Sequence, residues 1–222
     1  MTHDRYPDAD HWRRAWLLLL INGAARAGLT PIEQTDVHRA AFLANALAPL
    51  YDLPVENGLV VRWKRGPFFP DLQWDLDRLA TMGLLTFRQV EPVKDSSGKW
   101  FCARYELGSL AASFLAATLQ LESSRRVYRL HCELFAALAA LSDDDNRSAA
   151  LHDATYANLV DGDLKAEQTV IDFASFRDQN FTARATRAIG ESLKDLAVNE
   201  REKLHLYVRY LGRRAGQVRR RV

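Results

Sequence analysis

Six histidines and two cysteines are the side chains of this sequence best suited to metal ligation or nucleophilic chemistry. His152-Asp153 is an HD dipeptide, and with His131 before it and Asp172 after it the pattern suggests a metal-dependent phosphohydrolase. Such a site needs several nitrogen and oxygen ligands held together, whereas a dipeptide arises easily by chance. A surface or helix-capping pair is the simpler interpretation, and the hydrolase remains a third hypothesis.

Other catalytic signatures are missing from the sequence. It contains no GxSxG, HExxH, GxGxxG or Walker-type glycine loop. Cys102 and Cys132 have no CxxC spacing, which excludes a disulfide scaffold and a cysteine-based zinc site and is typical of a reducing compartment. We therefore expect a cytoplasmic protein that is not an enzyme and that binds no cofactor or metal.

Composition and charge limit the class of protein. The 222 residues are 48% hydrophobic and 26% charged, which excludes global disorder and allows one large domain or two small ones. The longest apolar run, residues 15–21, is far shorter than the ~20 residues that a bilayer requires, so no membrane partner is expected. The net charge of +2 hides an asymmetry, because the last ten residues hold five arginines and no acid. The remainder has 25 basic against 28 acidic residues.

Hydrophobic periodicity and breaker residues predict the elements that position these groups. Helices are predicted over 11–27, 36–50 and 70–83, with a helical piece starting at Thr30-Pro31 and a strand over 59–63. Two β-rich runs, 84–90 and 100–107, flank a polar turn. Three helices followed by a hairpin predict a winged helix–turn–helix with a β-hairpin wing.

The rest of the chain is predicted to be mainly helical. A short strand is possible at 170–173, a helix is expected over 182–196, and a last helix begins at Asn199, with Glu202 as its reciprocal capping residue. The predicted fold is therefore mainly α (α+β). It comprises a winged-helix domain over 1–108 and a helical region over 109–222 that ends in the arginine-rich tail.

The helix before the hairpin is the one that a winged helix normally offers to the major groove. Here it holds Asp71, Asp75 and Asp77 against Arg78, a formal charge of −2 that DNA should repel. The aromatic residues around it then suggest a protein-docking surface, although core packing is the simpler fate of any single aromatic. The candidate interface residues are Trp63, Phe68, Phe69 and Trp74.

Basic residues cluster in three places outside that helix: beside Trp63, in the predicted wing and in the tail. Each cluster could contact a phosphate backbone without reading sequence, form a solvated face or, for the tail, bind an acidic partner. The candidates for nucleic-acid backbone contact are Arg62, Lys64, Arg65, Lys94, Lys99, Arg213, Arg214, Arg219, Arg220 and Arg221.

Residues 65–79, RGPFFPDLQWDLDRL, with Gly83-Leu84-Leu85 resemble a GP[FY]-x-P-x-L-x-x-DL-x-x-L-x-x-x-GL signature. It is similar to that of the SocA-like (Panacea) antitoxin domains and, more closely, of the middle components of ABC-three-component, Lamassu-type anti-phage systems. The first resemblance stops near residue 90. The second spans most of the chain and includes residues 153–156, 170–173, Asn180 and 202–209.

The resemblance implies a non-catalytic subunit that joins an SMC/Rad50-like ATPase to a nuclease-like effector in a complex that senses foreign DNA. The alternative is an antitoxin or winged-helix transcriptional regulator that binds operator DNA as a dimer. A palindromic footprint would favour the regulator, whereas binding that depends on salt alone would favour a non-specific contact with the DNA backbone.

Overall fold

A computed structural model describes residues 7–56, 59–63, 66–95, 98–158, 170–172 and 180–219. In these ranges the chain is mainly helical with two small antiparallel sheets, which confirms the predicted mainly α, α+β class. The described helices are α1 (Pro7–Arg26), α2 (Gln34–Leu47), α3 (Pro70–Thr81), α4 (Ala111–Thr118), α5 (Glu122–Ala139), α6 (Asp143–Ala149), α7 (Ala154–Asn158), α8 (Phe181–Ser192) and α9 (Glu200–Arg219). Short 3-10 turns occupy Ala48–Tyr51, Ala150–His152 and Lys194–Leu196.

The first sheet has the strand order β1-β5-β4, in which β1 is Ile32–Glu33, β4 is Leu85–Asp95 and β5 is Gly98–Leu107. Strands β4 and β5 form the predicted hairpin and are longer than the sequence pattern indicated. Strand β1 replaces the helical piece predicted to start at Thr30-Pro31, because Ile32 and Glu33 pair with Tyr105 and Arg104 of β5. The sheet therefore ties the segment between α1 and α2 to the hairpin.

The second sheet has the order β3-β2-β6, with β2 at Leu59–Trp63, β3 at Gly66–Phe68 and β6 at Val170–Asp172. The GPF part of the signature forms β3, where Phe68 lies opposite Val61. Strand β6 is part of the short strand predicted at 170–173, and it pairs with the opposite edge of β2. Segments more than 100 positions apart are thus neighbours in one sheet.

Helix α1 forms the centre of the hydrophobic core. Its residues 16–21, WLLLLI, are all buried, so the helix is enclosed on every face. It packs against α3 and β5 on the N-terminal side of residue 108, and against α5 on the C-terminal side. Residue 108 therefore marks a change in secondary structure within one continuous core. Among the described helices, none is long and apolar enough to cross a bilayer.

Helix α3 follows its sequence signals closely. Pro70 occupies its first turn, Leu72, Leu76 and Leu79 form its buried face, and Gly83 (φ 71°) follows its end. The hairpin closes against this end, since the Gly108 N–H donates to the Leu84 carbonyl at 2.9 Å. A Cβ atom at position 108 would lie 2.2 Å from the Gly83 carbonyl oxygen. Only glycine fits at this contact.

Two further helix starts depend on side-chain caps. Asn199 and Glu202 form the predicted reciprocal pair ahead of α9: the Glu202 N–H donates to Asn199 Oδ1 (3.0 Å) and the Asn199 N–H to Glu202 Oε2 (2.9 Å). The acidic segment after α5 begins α6. Ser142 caps this helix by accepting from the Asp145 N–H, and three aspartates fill the first turn, where the helix dipole favours negative charge.

Candidate functional site

Gln73 is the centre of a hydrogen-bonded cluster that fixes α3 against α2 and the hairpin. Its Oε1 accepts from Gln34 Nε2 (2.7 Å), and its Nε2 donates to Asp77 (3.2 Å) and to the Tyr105 hydroxyl (3.4 Å). His38 Nε2 lies 3.2 Å from the same Oε1. One of the α3 side chains best suited to hydrogen-bond a base edge is therefore used inside the protein.

His38 connects this cluster to the GPF signature. Its Nδ1 accepts from the Phe69 N–H at 3.3 Å, so Nε2 carries the proton and donates to Gln73. Burial lowers the pKa of His38 to about 4, against a smaller opposing effect of the Gln73 hydrogen bond. The ring also contacts Phe68, with centroids 4.8 Å apart. The signature is thus positioned by a neutral, buried imidazole.

Asp75 points into the protein and not toward a partner. Its side chain is fully buried, and its carboxylate pairs with the guanidinium groups of Arg13 and Arg14, the latter at 2.9 Å. On α3, Asp77 and Arg78 are exposed and Asp71 is half-buried, and Arg78 Nη1 lies 3.9 Å from the Asp75 carboxylate. The predicted acidic surface of α3 is therefore corrected, because one of its three carboxylates is buried and paired.

The four candidate interface aromatics have different positions. Phe69 is 2% exposed and stacks near His38, so it belongs to the core and its predicted place on a docking surface is corrected. Trp74, in contrast, is 67% exposed on α3. Phe68 is half-buried at the edge of β3. Trp63 ends β2, and its side chain lies outside the described residues.

A small apolar cavity lies between β3 and the hairpin. Its volume is about 190 Å³, and Pro67, Phe68, Trp100 and Phe101 contribute most of its apolar wall. His38 and Gln34 also line it, so it adjoins the cluster around Gln73. A pocket with apolar walls beside fixed polar groups suits an apolar or aromatic side chain of another protein.

The structure adds three aromatic residues that the sequence reasoning missed. Phe101 is 70% exposed, and Phe87 is 44% exposed with its ring 5.4 Å from that of Tyr105, the residue that reaches Gln73. Trp100 is half-buried beside the cavity. The sequence does contain a signal for these residues. Apolar side chains occur on both faces of the hairpin strands, whereas a hairpin that packs on a core needs apolar side chains on one face only. We use the name aromatic face for the exposed and half-buried aromatic residues of β3, α3 and the hairpin, which are Phe68, Trp74, Phe87, Trp100 and Phe101.

The basic candidates that the structure describes lie on β2, on the β4–β5 hairpin and on α9. Arg62 is half-buried, with its guanidinium 5.7 Å from the centre of the Tyr156 ring. Lys94 and Lys99 are exposed and lie opposite each other in the hairpin, and Arg213 and Arg214 are exposed on α9. Lys64, Arg65, Arg220, Arg221 and the side chain of Arg219 lie outside the described residues.

The HD dipeptide has a structural role. Asp153 is fully buried, and its carboxylate accepts from the Thr155 and Tyr156 N–H groups and from the hydroxyls of Thr182 and Tyr207. Burial raises the pKa of Asp153, and these hydrogen bonds partly oppose the rise. The interpretation of Asp153 as a helix-capping residue is confirmed. Its interpretation as a surface residue is wrong, because both carboxylate oxygens accept hydrogen bonds inside the protein. Within the described ranges, no group of three metal-ligating side chains occurs.

Tyr207→Phe is expected to lower the free energy of unfolding by about 2 kcal/mol, the cost of leaving buried polar groups unsatisfied. The Tyr207 hydroxyl donates to Asp153 (2.8 Å) and accepts from the Ala154 N–H (3.0 Å), so both groups lose a partner. Urea unfolding followed by circular dichroism measures the change. Tyr210→Phe, on the exposed side of the same helix, is the matched control and should change stability by less than ~0.5 kcal/mol. Equal effects of the two substitutions would contradict this role.

Comparison with known proteins gives no match: no family, no curated protein and no solved structure is significantly similar to this chain.

Proposed function

We propose that this protein is a non-catalytic adaptor subunit of a prokaryotic SMC/Rad50-like ATPase defence complex, in which it docks the ATPase and a nuclease-like effector. The observation that carries the proposal is the exposure of Trp74 on α3, together with the exposure of Phe87 and Phe101 on the hairpin. Exposed tryptophan is costly to leave in water and is enriched among the residues that dominate protein interfaces. The signature at 65–85 supports the choice of complex.

The order of elements supports a winged-helix assignment for residues 7–107. Helices α1, α2 and α3 precede the hairpin, and β1, between α1 and α2, pairs with the second hairpin strand to give the order β1-β5-β4. In such a module α3 would be the presented helix. Its outward side offers Trp74, Asp77 and Arg78, whereas Gln73 is bound internally. This combination favours a protein partner over base edges.

Co-purification from the native operon tests the proposal. Trp74→Ala should reduce recovery of the ATPase subunit by roughly tenfold or more, as expected for an aromatic anchor. Stability should change by less than ~0.5 kcal/mol, because the side chain is exposed. Leu196→Ala, which truncates a residue that is 72% exposed at a different place on the chain, is the matched control.

Unchanged recovery with both Trp74→Ala and Phe101→Ala, in folded protein, would overturn the aromatic face as the docking surface. Failure of the wild-type chain to co-purify with an ATPase or an effector would overturn the adaptor function itself.

The alternative function is an antitoxin or transcriptional regulator that binds DNA. The winged-helix order of elements and the paired exposed lysines Lys94 and Lys99 in the hairpin favour it. A palindromic footprint on the promoter of its own operon, competed only by the specific sequence, would select this alternative.

A further inference from the structure

A groove between α8 and α9 carries an excess of positive charge. Its volume is about 670 Å³, and three guanidinium groups line it, those of Arg184 and Arg187 on α8 and of Arg214 on α9. Glu191 is the one carboxylate among its described lining residues. Three alanines, whose side chains are small, also line the groove. Of these three arginines, only Arg214 is among the basic candidates predicted from the sequence.

Helices α8 and α9 position the backbones of these arginines, and neighbouring aromatic residues contact two of the side chains. Arg184 and Arg187 are three residues apart, so they lie on the same side of α8. The Arg184 guanidinium lies 5.6 Å from the centre of the Phe181 ring, which supports it by a cation–π contact. Arg214 Nη1 lies 3.5 Å from the Tyr210 hydroxyl. All three side chains are exposed to solvent along the groove.

Among the described residues, these guanidinium groups have no carboxylate partner, in contrast to Arg125 and Arg201. Arg125 pairs with Glu122 at 2.6 Å, and Arg201 pairs with Glu133 at 2.8 Å. Within the described part of the chain, no carboxylate lies within 4.0 Å of Arg184, Arg187 or Arg214, even though Glu191 lines the same groove. Burial, and next the charge of Arg214, lower the pKa of the nearby His152. Within the described residues, the groove therefore carries a net positive charge, with three guanidinium groups against one carboxylate.

We propose that this groove binds the phosphate backbone of a nucleic acid without reading its sequence. Guanidinium groups bind phosphate oxygens through two parallel hydrogen bonds, and a row of them matches a polymer with one anion per nucleotide. The groove is too large for a single phosphate.

Fluorescence anisotropy with the full chain tests the proposal. The probes are labelled 20-nucleotide single strands and duplexes of two unrelated sequences, titrated between 50 and 200 mM salt. Arg184→Ala with Arg187→Ala should weaken binding at 50 mM salt by roughly tenfold or more. The double variant should also reduce the slope of log K against log salt by about 1 for each lost phosphate contact. Arg125→Ala with Arg201→Ala, two arginines already paired, is the matched control and should change neither quantity.

Glu191→Gln supplies a gain-of-binding arm, because it removes the groove's described carboxylate. It should tighten binding several-fold, a result that loss of folding could not produce. Wild-type and Arg184→Ala/Arg187→Ala protein with equal affinity and equal salt slope would overturn the proposal, as would tighter binding of poly-glutamate than of DNA. Trp74→Ala should leave DNA binding unchanged, so the groove and the aromatic face are tested separately.

Discussion

Asp75→Ala is expected to lower the free energy of unfolding by about 3–5 kcal/mol, the usual cost of removing one partner from a buried ion pair. The Asp75 side chain is fully buried, while those of Arg13 and Arg14 are only 14% and 18% exposed. Removing the carboxylate leaves the Arg14 guanidinium without this partner in a poorly hydrated place, and leaves that of Arg13 with the Asp10 carboxylate at 3.0 Å. In urea unfolding, the midpoint should fall while the m-value stays unchanged.

Asp77→Ala is the matched control for Asp75. It removes the same chemical group from the same helix, but from an exposed position, and should cost less than ~1 kcal/mol. Replacing the whole cluster, with Arg13→Met, Arg14→Met and Asp75→Leu, should recover part of the lost stability, because well-packed apolar groups often replace buried ion pairs without loss. Similar losses for Asp75→Ala and Asp77→Ala would contradict the inward position of Asp75.

Acid is expected to destabilise the protein through two buried histidines. Burial lowers the pKa of His38 to about 4 and that of His131 to about 3, from an ordinary value of 6.5. A base with a lowered pKa in the folded state binds its proton more readily when unfolded. Stability is therefore complete above pH 6.5 and is lost as the pH falls. Linkage gives a loss of about 4 kcal/mol between pH 7.5 and pH 5 from both groups together.

Unfolding free energies measured between pH 7.5 and pH 5 check this expectation. The buried carboxyl of Asp153 acts in the opposite direction, because its raised pKa favours protonation in the folded state. The decisive quantity is therefore the difference between variants in the slope of the unfolding free energy against pH. His131→Leu should reduce the number of protons taken up on unfolding by about one. This reduces the slope of the unfolding free energy by about 1.4 kcal/mol per pH unit. His11→Gln, at an exposed position, should leave the slope unchanged. An unchanged slope for His131→Leu would contradict the prediction.

Local signals in the sequence predict the elements of this protein well. Pro70, the spacing of Leu72, Leu76 and Leu79, and Gly83 are sufficient to define α3, and Asn199 with Glu202 defines the start of α9. These features act within a few residues, so neither needs knowledge of the tertiary fold. Strand β1 was missed because two residues have no period of their own and become a strand only by pairing with β5.

The orientation of individual side chains was harder to predict. Formal charge counted along α3 treats Asp75 and Asp77 alike, yet Asp75 faces Arg13 and Arg14 of a helix some 60 positions earlier in the chain. Phe68 and Phe69 are chemically identical neighbours that differ in exposure, because one lies in β3 and the other caps α3. The groove of Arg184, Arg187 and Arg214 depends on α8 lying beside α9, a contact between helices that periodicity cannot show.

The enclosure of α1 has a consequence for how the protein is made. Its residues 16–21 are covered partly by α5, which ends at Ala139, more than 100 positions later. At a translation rate of ~5–20 residues per second, the ribosome needs on the order of ten seconds to synthesise the intervening chain. Throughout that interval part of the apolar surface of nascent α1 is exposed to solvent. A chaperone could bind this surface. The core around α1 is therefore completed only after α5 has emerged from the ribosome.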